Sequence, residues 1–203
     1  MFQVRIHGRG GQGVVTAAEL LSVAAFDEGQ YAQAFPSFGS ERTGAPVVSY
    51  CRMDKSPIRT REPVNAPNAL IIQDATLIHQ VDLFSGLAPG GYVVINTSRS
   101  LLELGLEDAL AGQLTSHVTC CPATEIATLH IGRAVPNVVL LGALAGLTGV
   151  VSLTGVTKAV TERFPGELGE RNATAASKAY AYMQEHYAEI CVESQERVYA
   201  PAT

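Results

Sequence analysis

Val4-Arg5-Ile6-His7-Gly8-Arg9-Gly10-Gly11-Gln12-Gly13-Val14-Val15 is the stretch that decides the fold. Val4 and Ile6 suit a strand ending near His7. Gly8, Gly10, Gly11 and Gly13 then supply a tight turn. From Val14 to about Glu28 the apolar residues Ala17, Leu21, Ala24 and Ala25 share one side of a helix. Gly29 is a suitable stop, because glycine takes a left-handed conformation without a Cβ clash. Strand, glycine turn and helix in this order open a Rossmann-like α/β unit.

Tyr31–Phe35 reads as a second strand and Val47–Met53 as a third. A hairpin around residues 47–60 would make the sheet mixed. Ala69–Asp74 is a short buried strand with an acid at its end. Helices are expected at Leu77–Leu87 and near Leu104–Ala111, with strands at Tyr92–Asn96 and around His117–Cys121. The helices Ala123–Ile131, a segment capped by Asn137 running through Leu147, Thr154–Phe164 and Ala173–Tyr187 complete a helical C-terminal third. Gly142, Ala143, Ala145 and Gly146 mark the second of these as a closely packed, buried helix. The expected architecture is a single domain over residues 1–203: three-layer α/β, with a mainly parallel sheet.

The chain has 203 residues, 47% of them hydrophobic and only 16% charged. That charged fraction is low against about 25% for an average soluble protein, so part of the surface suits a partner interface. A net charge of −5 with no basic block gives no support for nucleic-acid binding. No run of residues suits a membrane span, and the first strand starts without a secretory signal, so a cytoplasmic location is expected. Cys51, Cys120, Cys121 and Cys191 lack the spacing of an iron–sulfur ligand set, and the pair Cys120-Cys121 reads as buried or half-buried thiols. The five histidines show no metal-ligand spacing, and no catalytic or metal-binding residue is assigned.

Gly8-x-Gly10-x-x-Gly13 matches the dinucleotide-binding pattern, in which glycines admit close approach and helical N–H groups face an anion. Arg5 and Arg9 could add positive charge. Tyr31–Phe35, however, has no Asp or Glu to hold an adenosine ribose, and the turn lacks a Gly-Lys-Ser/Thr ending. Three readings stay open: a phosphate or pyrophosphate site, a structural turn, and full dinucleotide recognition by a stand-alone protein. Gln12 could donate to a ligand or cap the turn. Gly10 and Gly13 are the stronger candidates for obligatory backbone roles, while Gly11 either needs a positive φ or, as the preferred alternative, has an ordinary φ and faces a ligand. His7 could face the turn or be structural, and Asp74 could meet substrate, cap a helix or tether a loop.

Gly10-Gly11-Gln12-Gly13-Val14-Val15-Thr16-Ala17-Ala18-Glu19-Leu20-Leu21 resembles the opening of the gamma subunit of pyruvate and related 2-oxoacid:ferredoxin oxidoreductases. Phe35-Pro36-Ser37-Phe38-Gly39-Ser40-Glu41-Arg42-Thr43-Gly44-Ala45-Pro46-Val47 is a longer and less generic resemblance. Ile58-Arg59, Arg61–Val64, Asp74 and Asn137–Gly146 follow in the same order. Thr43 departs from the pattern, where a second arginine is common. The resemblance implies a non-autonomous subunit of a coenzyme A-acylating enzyme, working beside alpha, beta and ferredoxin-like delta subunits with ferredoxin as electron acceptor. Thiamine diphosphate, magnesium and iron–sulfur clusters would lie in those partners. Gly8, Arg9, Gly10, Gly11, Gln12, Gly13 and Arg42 are then the candidates for contact with coenzyme A phosphates or for shaping the route of coenzyme A. Arg42 paired to a partner carboxylate, or a purely structural assembly subunit, are the alternatives.

Overall fold

The computed structural model describes residues 1–37, 44–106, 109, 110, 113 and 117–199, with side chains described as far as His186. Six strands form one sheet in the order β2-β3-β1-β4-β5-β6. They are β1 (Phe2–Arg9), β2 (Tyr31–Pro36), β3 (Pro46–Asp54), β4 (Ala69–Ile72), β5 (Tyr92–Asn96) and β6 (Val118–Cys121). β1, β4, β5 and β6 pair in parallel, whereas β3 runs antiparallel to both β1 and β2. The sheet is therefore mixed, as expected, but not through a hairpin around residues 47–60. The partners of β3 are β1 and β2, and no strand follows it over residues 55–60.

Strand alternation divides the core in two. Val4, Ile6, Ile71 and Val94 face the side on which α1 (Val14–Asp27), α2 (Ala123–Ile131), α3 (Asn137–Thr148), α4 (Leu153–Arg163) and α5 (Glu167–Tyr199) pack. Leu70, Ile72, Val93 and Ile95 face the other side, where Leu77, Leu83, Leu104, Leu106 and Leu110 cover them. That second cover is a 3₁₀ helix, Ala75–His79, together with turns. The expected helix over 77–87 is thus a single 3₁₀ turn that is not continued. Gly86 adopts φ +72°, and a Cβ there would meet the carbonyl oxygen of Asn65. Turns also replace the helix expected near 104–111, at residues 101–105 and 109–110, while Glu107, Asp108 and Ala111 lie outside the described residues.

α1 ends as expected: Gly29 takes φ +82° and its N–H reaches the Phe26 carbonyl at 2.9 Å. α3 is buried at eleven positions, and it crosses α5 closely at Gly142 and Gly146. α5 begins at Glu167, earlier than expected, and gives the fold its helical C-terminal stretch. The whole is an α/β, Rossmann-like arrangement. The glycine turn joins β1, near the middle of the sheet, to α1. Ligand-binding crevices of open α/β sheets form beyond such carboxyl strand ends.

Candidate functional site

β1 ends at Arg9, and α1 begins at Val14 with Gly13 in the left-handed conformation (φ 71°, ψ 33°) as its N-cap. No side chain caps this helix and no acidic residue occupies its first turn. The first N–H groups of an α-helix lack intrahelical partners and carry partial positive charge. An open hollow of about 320 Å³, bordered by Arg9, Gly10, Gly11, Gly13, Val14, Val15 and Val47, lies at this helix start. The geometry suits an anion that approaches backbone.

Each glycine has a different structural reason. A Cβ on Gly8 would stand 2.6 Å from Val14 Cγ2 and 3.0 Å from Gln12 Oε1, so this position is closed by packing. The Gly10 N–H donates to the Ala45 carbonyl at 2.9 Å, and the Gly10 carbonyl accepts from Gly44 N at 3.2 Å. Gly11 takes φ +96° with open space around it, which corrects the expectation of an ordinary φ. Gly13 takes φ +71°, and a Cβ there would strike the amide of Asn137. Asn137 is accordingly not a capping residue: α3 has Pro136 at its N-cap, and Asn137 Nδ2 donates to the Gly13 carbonyl at 3.4 Å.

The polar side chains of the turn bond within the protein. Gln12 Oε1 accepts from Arg9 N at 2.8 Å, and Gln12 Nε2 donates to Asp74 Oδ2 at 2.9 Å, so Gln12 caps its own turn. Arg9 Nε donates to the same carboxylate oxygen at 3.1 Å. Asp74 also accepts from Thr76 N at 3.0 Å, combining the loop-tethering and helix-capping roles. Burial pushes its pKa up, but hydrogen bonds from Thr76 and Gln12 and the charge of Arg9 outweigh this and lower it. Sequence reasoning left the role of Asp74 open and missed Thr76 and Gln80. The only signal was an acid closing an apolar strand.

Arg5 does not reach the turn. It is buried on the opposite face of β1 from Val4 and Ile6, where Nη2 donates to the carbonyls of Leu83 (2.8 Å) and Ser85 (2.7 Å). His7 lies beside it, 7% exposed. Burial, and secondarily the Arg5 charge, lower its pKa to about 3, so it is a neutral interior group. Arg42 and Glu41 lie outside the described residues. Cys121 is buried and Cys120 half-buried. Burial raises their pKa values to about 12 and about 11, with Cys120 and Glu125 adding to the shift at Cys121. Among the described residues, no group of three or more His, Cys, Asp or Glu side chains could hold a metal ion.

The turn differs from a dinucleotide site in topology as well as in residues. In that fold the strand following the first helix lies beside β1 and points its acidic end at the ribose. Here the antiparallel β3 takes that place and β2 is displaced to the sheet edge. A carboxylate at the end of β2 would lie one strand too far from the turn.

Comparison with known proteins identifies the family. A family described as pyruvate ferredoxin/flavodoxin oxidoreductase matches residues 3–182. Pyruvate synthase subunit PorC of Methanothermobacter thermautotrophicus is 48% identical over 180 residues, covering 89% of this chain and 94% of that protein. The pyruvate/ketoisovalerate oxidoreductases common subunit gamma of Thermococcus kodakarensis is 44% identical, covering 89% and 96%. The crystal structure of pyruvate oxidoreductase subunit PORC from Thermotoga maritima superposes with a TM-score of 0.74 at 32% identity, covering 89% of this chain and 95% of that one. The chain therefore belongs to the pyruvate/2-oxoacid:ferredoxin oxidoreductase family, among its PorC or gamma subunits.

Proposed function

We propose that this chain is the non-autonomous gamma subunit of a cytoplasmic, thiamine-diphosphate-dependent, coenzyme A-acylating 2-oxoacid:ferredoxin oxidoreductase, acting as one gamma-type domain over residues 1–203. Alpha, beta and ferredoxin-like delta subunits hold thiamine diphosphate, magnesium and the iron–sulfur clusters, and ferredoxin accepts the electrons. The contribution of this chain is to help form the coenzyme A site. The observation that carries the reading is the uncapped start of α1, open to the hollow beside Gly10, Gly11 and Gly13. Gly8, Gly10, Gly11 and Gly13 shape the anion seat, Arg9 and Gln12 frame it, and Arg42 contacts a coenzyme A phosphate or a partner carboxylate. The relative in Thermococcus kodakarensis is named as common to pyruvate and ketoisovalerate oxidoreductases. That supports a subunit that handles a cosubstrate rather than selecting the 2-oxoacid.

A second reading, a purely structural subunit whose turn meets protein, draws on the internal bonding of Arg9 and Gln12. Val15→Asp in the assembled enzyme separates the two. A carboxylate in the first turn favours the helix by about 0.3–1 kcal/mol, so folding should hold. The same charge would repel a phosphate. The expected result is a KM for coenzyme A roughly tenfold higher, from about 1.4 kcal/mol of repulsion, with the 2-oxoacid KM unchanged. An unaltered coenzyme A KM would overturn the ligand reading in favour of the structural one.

A further inference from the structure

Asp74 is not itself part of the anion seat, yet its carboxylate is where the glycine turn is held. Asp74 Oδ2 accepts from Arg9 Nε and Gln12 Nε2, while Oδ1 accepts from Thr76 N. Arg9 extends the connection: Nη1 donates to the Gly44 carbonyl at 3.1 Å, and Nη2 donates to Thr76 Oγ1 at 2.7 Å and Gln80 Oε1 at 3.0 Å. Gly10 adds two backbone bonds to Gly44 and Ala45. One ion pair thereby joins the turn, the start of the 3₁₀ helix and the chain just after Arg42.

We propose that Arg9 and Asp74 form a positioning latch for the anion seat, and that Arg9 acts through Asp74 rather than by touching the ligand. Arg9 makes four hydrogen bonds, and a guanidinium offers only five N–H groups. Although Arg9 borders the hollow, its donors turn to Asp74, Gly44, Thr76 and Gln80. The adjacent carboxylate also offsets its charge toward any anion. The anion preference is left to the backbone N–H groups, and the latch fixes where they stand. A shift of about an ångström in such donors is enough to weaken a bound group.

The latch rests on the coenzyme A reading of the turn, and a double-mutant cycle in the assembled enzyme tests it. Arg9→Ala and Asp74→Ala should each raise the coenzyme A KM roughly tenfold, as the loss of a charge-assisted hydrogen bond does. The double variant should be no worse than either single one, and the 2-oxoacid KM should hold. Multiplied losses, or a large loss in Arg9→Ala with none in Asp74→Ala, would show that Arg9 meets the ligand directly and overturn the latch. Should Asp74→Ala fail to assemble, Asp74→Leu, of similar shape but without an acceptor, takes its place in the cycle, and the same results support or overturn the latch. Val15→Asp keeps the failures distinct. If it raises the coenzyme A KM while the latch variants do not, the latch falls and the site stands.

Discussion

At the residue scale, Gly11 and Gly13 separate two reasons for glycine that a sequence motif merges. Both take positive φ, where a Cβ costs about 1–2 kcal/mol. Gly11 faces open space, so Gly11→Ala should cost that strain and little more. Gly13→Ala must in addition displace Asn137, which is 6% exposed and bonded to the Gly13 carbonyl. It should therefore cost distinctly more, and at about 2–4 °C per kcal/mol the difference is measurable by thermal unfolding. Gly11→Asn should recover part of the loss, because asparagine enters the left-handed region more readily. A Gly13→Ala protein as stable as Gly11→Ala would contradict the packing argument. The glycine positions were legible in the sequence as a turn. Their dihedrals were not, because Gly11 owes its φ to a path fixed by bonds to residues far along the chain, from Gly44 to Asp74.

At the element scale, what sequence disclosed depended on how locally each element is determined. α1 and α3 carry their own signals, a glycine stop and a run of apolar and small residues, and both were read to within a residue or two. The segment 77–87 has apolar spacing that suits a helix, but Gly86 must turn beneath the Asn65 carbonyl, a contact no local pattern reveals. The mixed sheet was foreseen, whereas the insertion of β3 between β2 and β1 was not, since pairing partners are non-local. The close helix crossing can be tested directly. A Cβ on Gly142 would strike the Ala176 backbone carbonyl, and one on Gly146 would stand 2.9 Å from the Tyr180 carbonyl oxygen. Backbone cannot rotate aside as a side chain can. Gly142→Ala should cost about 3 kcal/mol or more, the upper part of the overpacking range. Gly149→Ala, at a left-handed C-cap with open space, should cost only about 1–2 kcal/mol. Equal melting temperatures for the two variants would mean that α5 yields and that the crossing is not tight.

At the scale of the whole molecule, the proposed anion seat is the uncapped start of α1 with the hollow beside it. Burial raises the pKa values of Cys51, Cys120 and Cys121, and Cys51 on β3 lies apart from the adjacent pair on β6. His7, two residues before the end of β1, is buried and neutral, with its pKa lowered to about 3 by burial, so it is poorly suited to proton transfer near pH 7. The surface meanwhile leaves Phe26 67% and Leu129 78% exposed on the helical side, beside a low overall charge. On the proposed reading, the subunit completes a site whose reactive groups arrive on other chains. The purified chain should therefore give no 2-oxoacid-dependent reduction of ferredoxin or of a viologen dye, even with thiamine diphosphate, magnesium and coenzyme A supplied. Adding the remaining subunits should restore turnover, and the restored rate should saturate with this chain at a fixed stoichiometry. Lack of activity alone could reflect misfolding, so the same preparation must show a cooperative thermal transition before recombination. Steady turnover by the pure, folded chain would place a complete active site within these 203 residues and overturn the division of labour.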